Sequence, residues 1–134
     1  MNCFMVDVRN SPGELAKLAE TIAQKGINIT GFTGAACGDQ GSICLITNDE
    51  AGTRQALVDA AFNVREVELV SVALEDKPGA LAETARRLAN AGVNIEAAVP
   101  TGKSGTKITL AFATDRPAQA RAALGETAMA GSSG

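Results

Sequence analysis

The chain has no histidine, no tryptophan and no tyrosine in its 134 residues. Without an imidazole it lacks the side chain that most often moves protons near neutral pH and binds zinc. Its three cysteines, Cys3, Cys37 and Cys44, are an odd number and contain no C-x-x-C pair. That spacing argues against a thiolate metal site or a disulfide frame and suits reduced thiols in a cytoplasm. The expectation for all three is a small buried apolar role, with Cys37 and Cys44 also placed to face each other across a hairpin. There is no P-loop and no G-x-G-x-x-G. No apolar run is long enough to span a bilayer, and the opening MNCFMVDV reads as too short and too acidic for a signal peptide. Net charge is −3, the wrong sign for a nucleic-acid surface, and the only aromatics are Phe4, Phe32, Phe62 and Phe112. No cofactor, no metal site and no catalytic residue is expected, and the chain does not read as an enzyme.

What it does contain is a duplication. SPGELAKLAETIAQKGINI over 11–29 returns as KPGALAETARRLANAGVNI over 77–95, and Pro12 and Pro78 lie 66 residues apart. Val6 with Val72, Val8 with Leu74 and Asp49 with Asp115 extend the same offset. A unit of this length is marginal alone, because domains of ~60 residues bury a small share of their surface. The repeat predicts two domains, 1–69 and 70–125, with a disordered tail over 126–134.

Each unit reads as β-α-β-β-α-β. Cys3–Val8 suits a strand. Ser11 then opens a helix as a cap, with Pro12 in its first position and Glu14 completing an S-x-x-E box. Leu15, Leu18 and Ile22 follow on one stripe, and Gly26 stops the helix. Ile27–Cys37 is a glycine-broken strand and Ile43–Thr47 the next. Asp49 caps a helix over about 51–62 that Asn63 ends. Val64–Glu75 alternates and is long enough to close one unit and open the other. In the second unit Lys77-Pro78-Gly79 opens a helix carrying Leu81, Ala85, Leu88 and Ala89, and Gly92 closes it. Val93–Val99 is a strand stopped by Pro100, 101–105 a turn and Lys107–Ala113 a strand. Asp115 caps the last helix, and no clear closing strand follows Leu124. The fold class is α+β: tandem ferredoxin-like βαββαβ repeats, an antiparallel sheet with helices on one face.

The two Pro-Gly turns are the informative places. A helix start presents free N–H groups and attracts anions. The donors would be Gly13, Glu14 and Leu15 in one unit, and Gly79, Ala80 and Leu81 in the other. Glycine there removes a Cβ and allows close approach. Asn10 and Asp76 precede the turns, and their oxygens can accept from an ammonium. Donors beside an acceptor suit a zwitterion, an α-amino acid. Pro-Gly is equally a plain turn, and Asn28 and Asn94 equally satisfy a backbone.

The pattern N/D-x-P-G-x-L, a helix, then G-[IV]-N-I resembles the ACT domain family. It is carried by Asn10-Ser11-Pro12-Gly13-Glu14-Leu15 with Gly26-Ile27-Asn28-Ile29, and by Asp76-Lys77-Pro78-Gly79-Ala80-Leu81 with Gly92-Val93-Asn94-Ile95. The resemblance implies a stand-alone tandem regulatory protein that binds an amino acid where domains meet. It implies Asn10 to Leu15 facing Asn94 and Ile95, and Asp76 to Leu81 facing Asn28 and Ile29. It also implies a homodimer, a separate regulated enzyme, and neither nucleic acid nor membrane as partner. Glu14 competes with an incoming anion where Ala80 does not, and anionic Asp76 suits an ammonium better than Asn10. The Asp76–Leu81 site is therefore expected to be the tighter. The competing readings are a pure interaction module, an RNA-recognition sheet lacking its basic face, and a small enzyme on the same scaffold.

Overall fold

A computed structural model describes residues 1–125. The expected tail over 126–134, and whether a strand closes the second unit, lie outside the described residues. The elements are β1 (Asn2–Arg9), α1 (Glu14–Ala23), β2 (Ile29–Cys37), β3 (Gln40–Thr47), α2 (Glu50–Asp59), β4 (Asn63–Glu75), α3 (Ala80–Asn90), β5 (Ile95–Ser104), β6 (Lys107–Thr114) and α4 (Pro117–Leu124). They divide into two compact units, one of Asn2–Val67 and one from Glu68 onward that also holds Met1. Both have the expected α+β, ferredoxin-like layering, and β4 runs unbroken from one into the other.

In the first unit the strand order is β2-β3-β1-β4. The register sets Phe4 opposite Leu45 and Val6 opposite Ile43. Opposed residues share a face, so these four form one apolar surface. Leu18 and Ile22 of α1 and Ala56 and Leu57 of α2 cover it. Each large apolar side chain buried this way is worth about 1.5–3 kcal/mol relative to exposure. The second unit has the order β4-β6-β5. Val70 lies opposite Phe112 and Leu74 opposite Ile108, and Leu88 of α3 and Ala120 of α4 complete that core.

Several local expectations are corrected. Ser11 does not cap α1: the cap is Gly13 with φ 90°, no side chain caps it, and the helix starts at Glu14. The left-handed glycine places Ser11 and Pro12 before the cap, so Ser11 Oγ reaches only the Glu14 carboxylate, at 3.4 Å. Leu15 does not join the core stripe. It is exposed, as is Leu81, although both lie within the first turn of their helices. The α2 helix ends before Asn63: Ala61 takes the left-handed conformation (φ 61°) that glycines take after the other helices. Cys37 and Cys44 pair with Gln40 and Thr33, not with each other, and Cys37 is exposed. Cys3 and Cys44 are instead the buried neighbours, and the Cys44 contact together with burial pushes the Cys3 thiol up.

The hairpin of the second unit differs most from expectation. Pro100 does not end β5, which continues to Ser104 past a register shift between Pro100 and Gly102. A missing N–H is tolerable on an edge strand, and a bulge absorbs one extra residue. Ser104 pairs with Lys107 as Cys37 pairs with Gln40, so beyond the bulge the copies are offset by 67 rather than 66. Asp115 therefore corresponds to Asn48, not to Asp49. It does not cap α4, whose cap residue is Arg116. Asp49 does cap α2, accepting from the Gly52 N–H at 2.9 Å.

Candidate functional site

The loop from β1 to α1 is tied to the β2–β3 hairpin. The Asn10 N–H donates to the Asp39 carbonyl at 2.9 Å, and Asn10 Nδ2 donates to the Gly38 carbonyl at 2.9 Å. Beyond it Lys17 is the first amide to bond back along α1, to the Gly13 carbonyl at 2.9 Å. The amides of Glu14, Leu15 and Ala16 thus precede the ladder and have no intrahelical acceptor. A Cβ on Gly13 or Gly79 would meet nothing within 4 Å. Both glycines take the left-handed backbone conformation, with φ of 90° and 88°.

Around this loop lies an open groove of about 350 Å³. Asn10, Ser11, Glu14 and Leu15 line it together with Arg9, Val8, Phe32, Gly34 and Ile43. The structure so brings together four of the six expected residues of the loop; Pro12 and Gly13 are exposed beside them and do not line it. Phe32 pairs with Leu45 and Gly34 with Ile43, so both lie on the helix-side face of the sheet. No helix of the unit covers β2 there, and Phe32 is 56% exposed. Arg9 and Phe32 lie outside the two motifs that carry the family resemblance. Arg9 had a signal, a cation next to Asn10; Phe32 sits between Gly31 and Gly34 in the strand those glycines interrupt.

Asn28 and Ile29 do not reach this groove. They enter β2 at its other end, where the Asn28 N–H donates to Asn48 Oδ1 at 3.0 Å and the Asn48 N–H returns to the Asn28 carbonyl at 3.1 Å. Ile29 packs on the core of its unit. The same clamp recurs in the second unit: the Asn94 N–H donates to Asp115 Oδ1 at 2.9 Å and the Asp115 N–H to the Asn94 carbonyl at 3.2 Å. Ile95 packs on that core. Within each unit, both asparagine backbones hold a strand entry.

The loop of the second unit is built alike but charged differently. The Asp76 N–H donates to the Thr106 carbonyl at 2.8 Å, matching Asn10 to Asp39. The Asp76 carboxylate, however, faces Lys103 Nζ at 3.4 Å, and Glu75 takes Thr106 Oγ1 at 2.9 Å and Lys107 Nζ at 4.0 Å. Lys77 and Ala80 line a separate cavity with Glu75, Glu83, Arg87 and Leu124. Pro78, Gly79 and Leu81 do not line it. Among the described residues no group of histidine, cysteine or carboxylate side chains could hold a metal ion. No helix among them is long and apolar enough to cross a membrane.

Residues 1–129 match the family described as the ACT domain pair. No curated protein matches the chain. A solved structure of a Bacteroides thetaiotaomicron protein is similar at TM-score 0.77 with 24% identity, over 94% of this chain and 87% of that one. The ligand-free regulatory subunit of aspartate kinase from Thermus thermophilus is similar at TM-score 0.62 with 17% identity, over 93% and 89%. The same subunit from Thermus flavus gives TM-score 0.62 with 19% identity, over 93% and 90%. At these identities the structural likeness speaks for the fold, while the family match spans both units and both Pro-Gly loops. The chain belongs to the ACT domain family, as a pair of such domains in tandem.

Proposed function

We propose that the chain is a non-catalytic regulatory protein that binds a free amino acid and passes the signal to a separate enzyme. The observation that carries this reading is the groove of the first unit. A polar loop and an uncovered apolar strand face share one opening of about 350 Å³. That volume is at the low end of small-molecule sites, roughly 300–1,000 Å³, and suits one amino acid better than a nucleotide. Family membership supports a regulatory ligand-binding role, and both Thermus structures are regulatory subunits of an enzyme. The Asp76–Leu81 loop is the second candidate site. A homodimer and a cytoplasmic setting belong to the same proposal.

The test is thermal unfolding of the whole chain against each common amino acid. A ligand at a hundred times its dissociation constant stabilises by about 2.7 kcal/mol. For a chain of this size that raises Tm by roughly 6–15 °C. A second reading, an interaction module without ligand, is favoured by the exposure of Leu15, Phe32 and Leu81 at 47%, 56% and 55%. If no amino acid raises Tm, that module is the better account.

A further inference from the structure

The two copies present opposite charges at the same position. Arg9 and Glu75 each end the first strand of their unit, paired with Gln40 and Lys107 at the start of the matching hairpin strand. Arg9 lines the groove, and among the described residues no carboxylate lies within ion-pair reach of it. Glu14 lines the same groove from the first turn of α1. The only side-chain hydrogen bond of Glu14 among the described residues is the long one from Ser11 to Oε1, which leaves Oε2 open. An unpaired cation and an available carboxylate thus share one opening without neutralising each other. Between them and β2 the walls are Val8, Leu15, Phe32 and Ile43.

We infer that this groove, and not its counterpart, selects an amino acid with a branched or thioether apolar side chain. Arg9 takes its carboxylate, Glu14 its ammonium, and Phe32 with Leu15 its side chain. The inference rests on the amino-acid reading above and makes that reading specific. A guanidinium matches a carboxylate with two parallel hydrogen bonds, so Arg9 fixes orientation as well as charge. An acidic or basic ligand side chain would meet the apolar walls without a partner there, which disfavours it against an apolar one.

In the second unit three of these four elements are replaced, and only Leu15 has a like counterpart, Leu81. Glu75 stands where Arg9 does and already holds Thr106 and Lys107. Ala80 stands for Glu14. Ala98 and Pro100 pair with Phe112 and Leu110 as Phe32 and Gly34 pair with Leu45 and Ile43, so the aromatic wall is gone and the open position is filled. Asp76, which the sequence favours as an ammonium partner, has Lys103 beside it. These substitutions reverse the expected ranking of the two loops and leave one binding site per chain.

Isothermal titration calorimetry of the full chain tests this with L-leucine, L-isoleucine, L-valine and L-methionine, and with L-aspartate and L-lysine as counter-probes. The expected result is binding of at least one apolar amino acid, one per chain, and none of the charged ones. Isocaproate and isoamylamine, which lack the ammonium and the carboxylate of leucine, should each bind at least tenfold more weakly. Arg9→Gln should weaken binding at least tenfold with an unchanged circular dichroism spectrum. Gly34→Val should block it sterically without altering charge, and Glu75→Gln in the other unit should leave it unchanged. Binding of only a charged amino acid, two equal sites per chain, or full affinity in Arg9→Gln would overturn the inference while sparing the sensor reading. No heat with any amino acid would remove both.

Discussion

Ala61 gives a direct quantitative check on the backbone. Glycines 26, 92 and 125 stand in the left-handed conformation after α1, α3 and α4, with φ of 70°, 73° and 69°; after α2 an alanine does so at 61°. An L-residue in that conformation costs about 1–2 kcal/mol. Glycine escapes most of this cost but brings a more disordered unfolded chain, which takes back about 0.4–1 kcal/mol. Ala61 is exposed, so the change forfeits little packing. The bonds that close the helix use backbone only: Ala61 N–H to the Val58 carbonyl at 3.0 Å and Phe62 N–H to the Leu57 carbonyl at 3.0 Å. Ala61→Gly should therefore stabilise by about 0.5–1 kcal/mol. With an m-value of about 1.5 kcal/mol/M the urea midpoint should rise by roughly 0.3–0.7 M at unchanged slope. Ala60→Gly is the control. Its residue has φ −84° and ψ 3°, where glycine gains nothing, and it should lose about 0.5–1 kcal/mol. If Ala61→Gly lowers the midpoint as Ala60→Gly does, the end of α2 is not left-handed and the reasoning fails.

Three further outcomes follow from the same geometry. Glu66 accepts from Arg54 at 2.7 and 2.8 Å and from Asn2 at 2.7 Å, and these bonds hold its carboxyl down at about 2. Its folded-state value lies below the unfolded one, so its contribution is present above about pH 4.5 and fades as pH falls toward 2. Tm measured across that window should fall less steeply in Glu66→Gln, and an identical slope would refute the linkage. Asp49→Ala removes the α2 cap and should cost about 1 kcal/mol in urea titration, whereas Asp115→Ala should leave α4 helicity unchanged because Asp115 is not its cap. Gly79→Ala should cost about 1 kcal/mol, since φ 88° strains any L-residue there; a neutral effect would mean the turn relaxes.

The architecture was legible because it is written in features that survive in one dimension. A duplication, two Pro-Gly turns and a strand twice the usual length suffice to place β1 through α4. The caps were not. S-x-x-E around Ser11 has the right letters, but a left-handed Gly13 consumes the turn in which Ser11 would have acted, and no pattern of side chains announces that φ. Leu15 and Leu81 misled differently: their spacing continues the apolar stripe, yet each sits in the first turn of its helix and stays exposed. The site was half legible. Its loop could be read from the Pro-Gly turn, but Arg9 and Phe32 belong to it only through strand register. The internal cations of the second unit, Lys103 and Lys107, lie about thirty residues from the carboxylates they answer.

The extra residue near Thr101 means that the duplicated halves share no single ruler. Grafting one half's residues onto the other must count 66 up to Pro100 and 67 from Gly102 onward. A transplant that ignores this step turns inward-facing strand positions outward, and a swap meant to equalise the halves would unfold one of them. The two rulers can be made to agree by deleting one residue there or by adding one between Gly34 and Ala35.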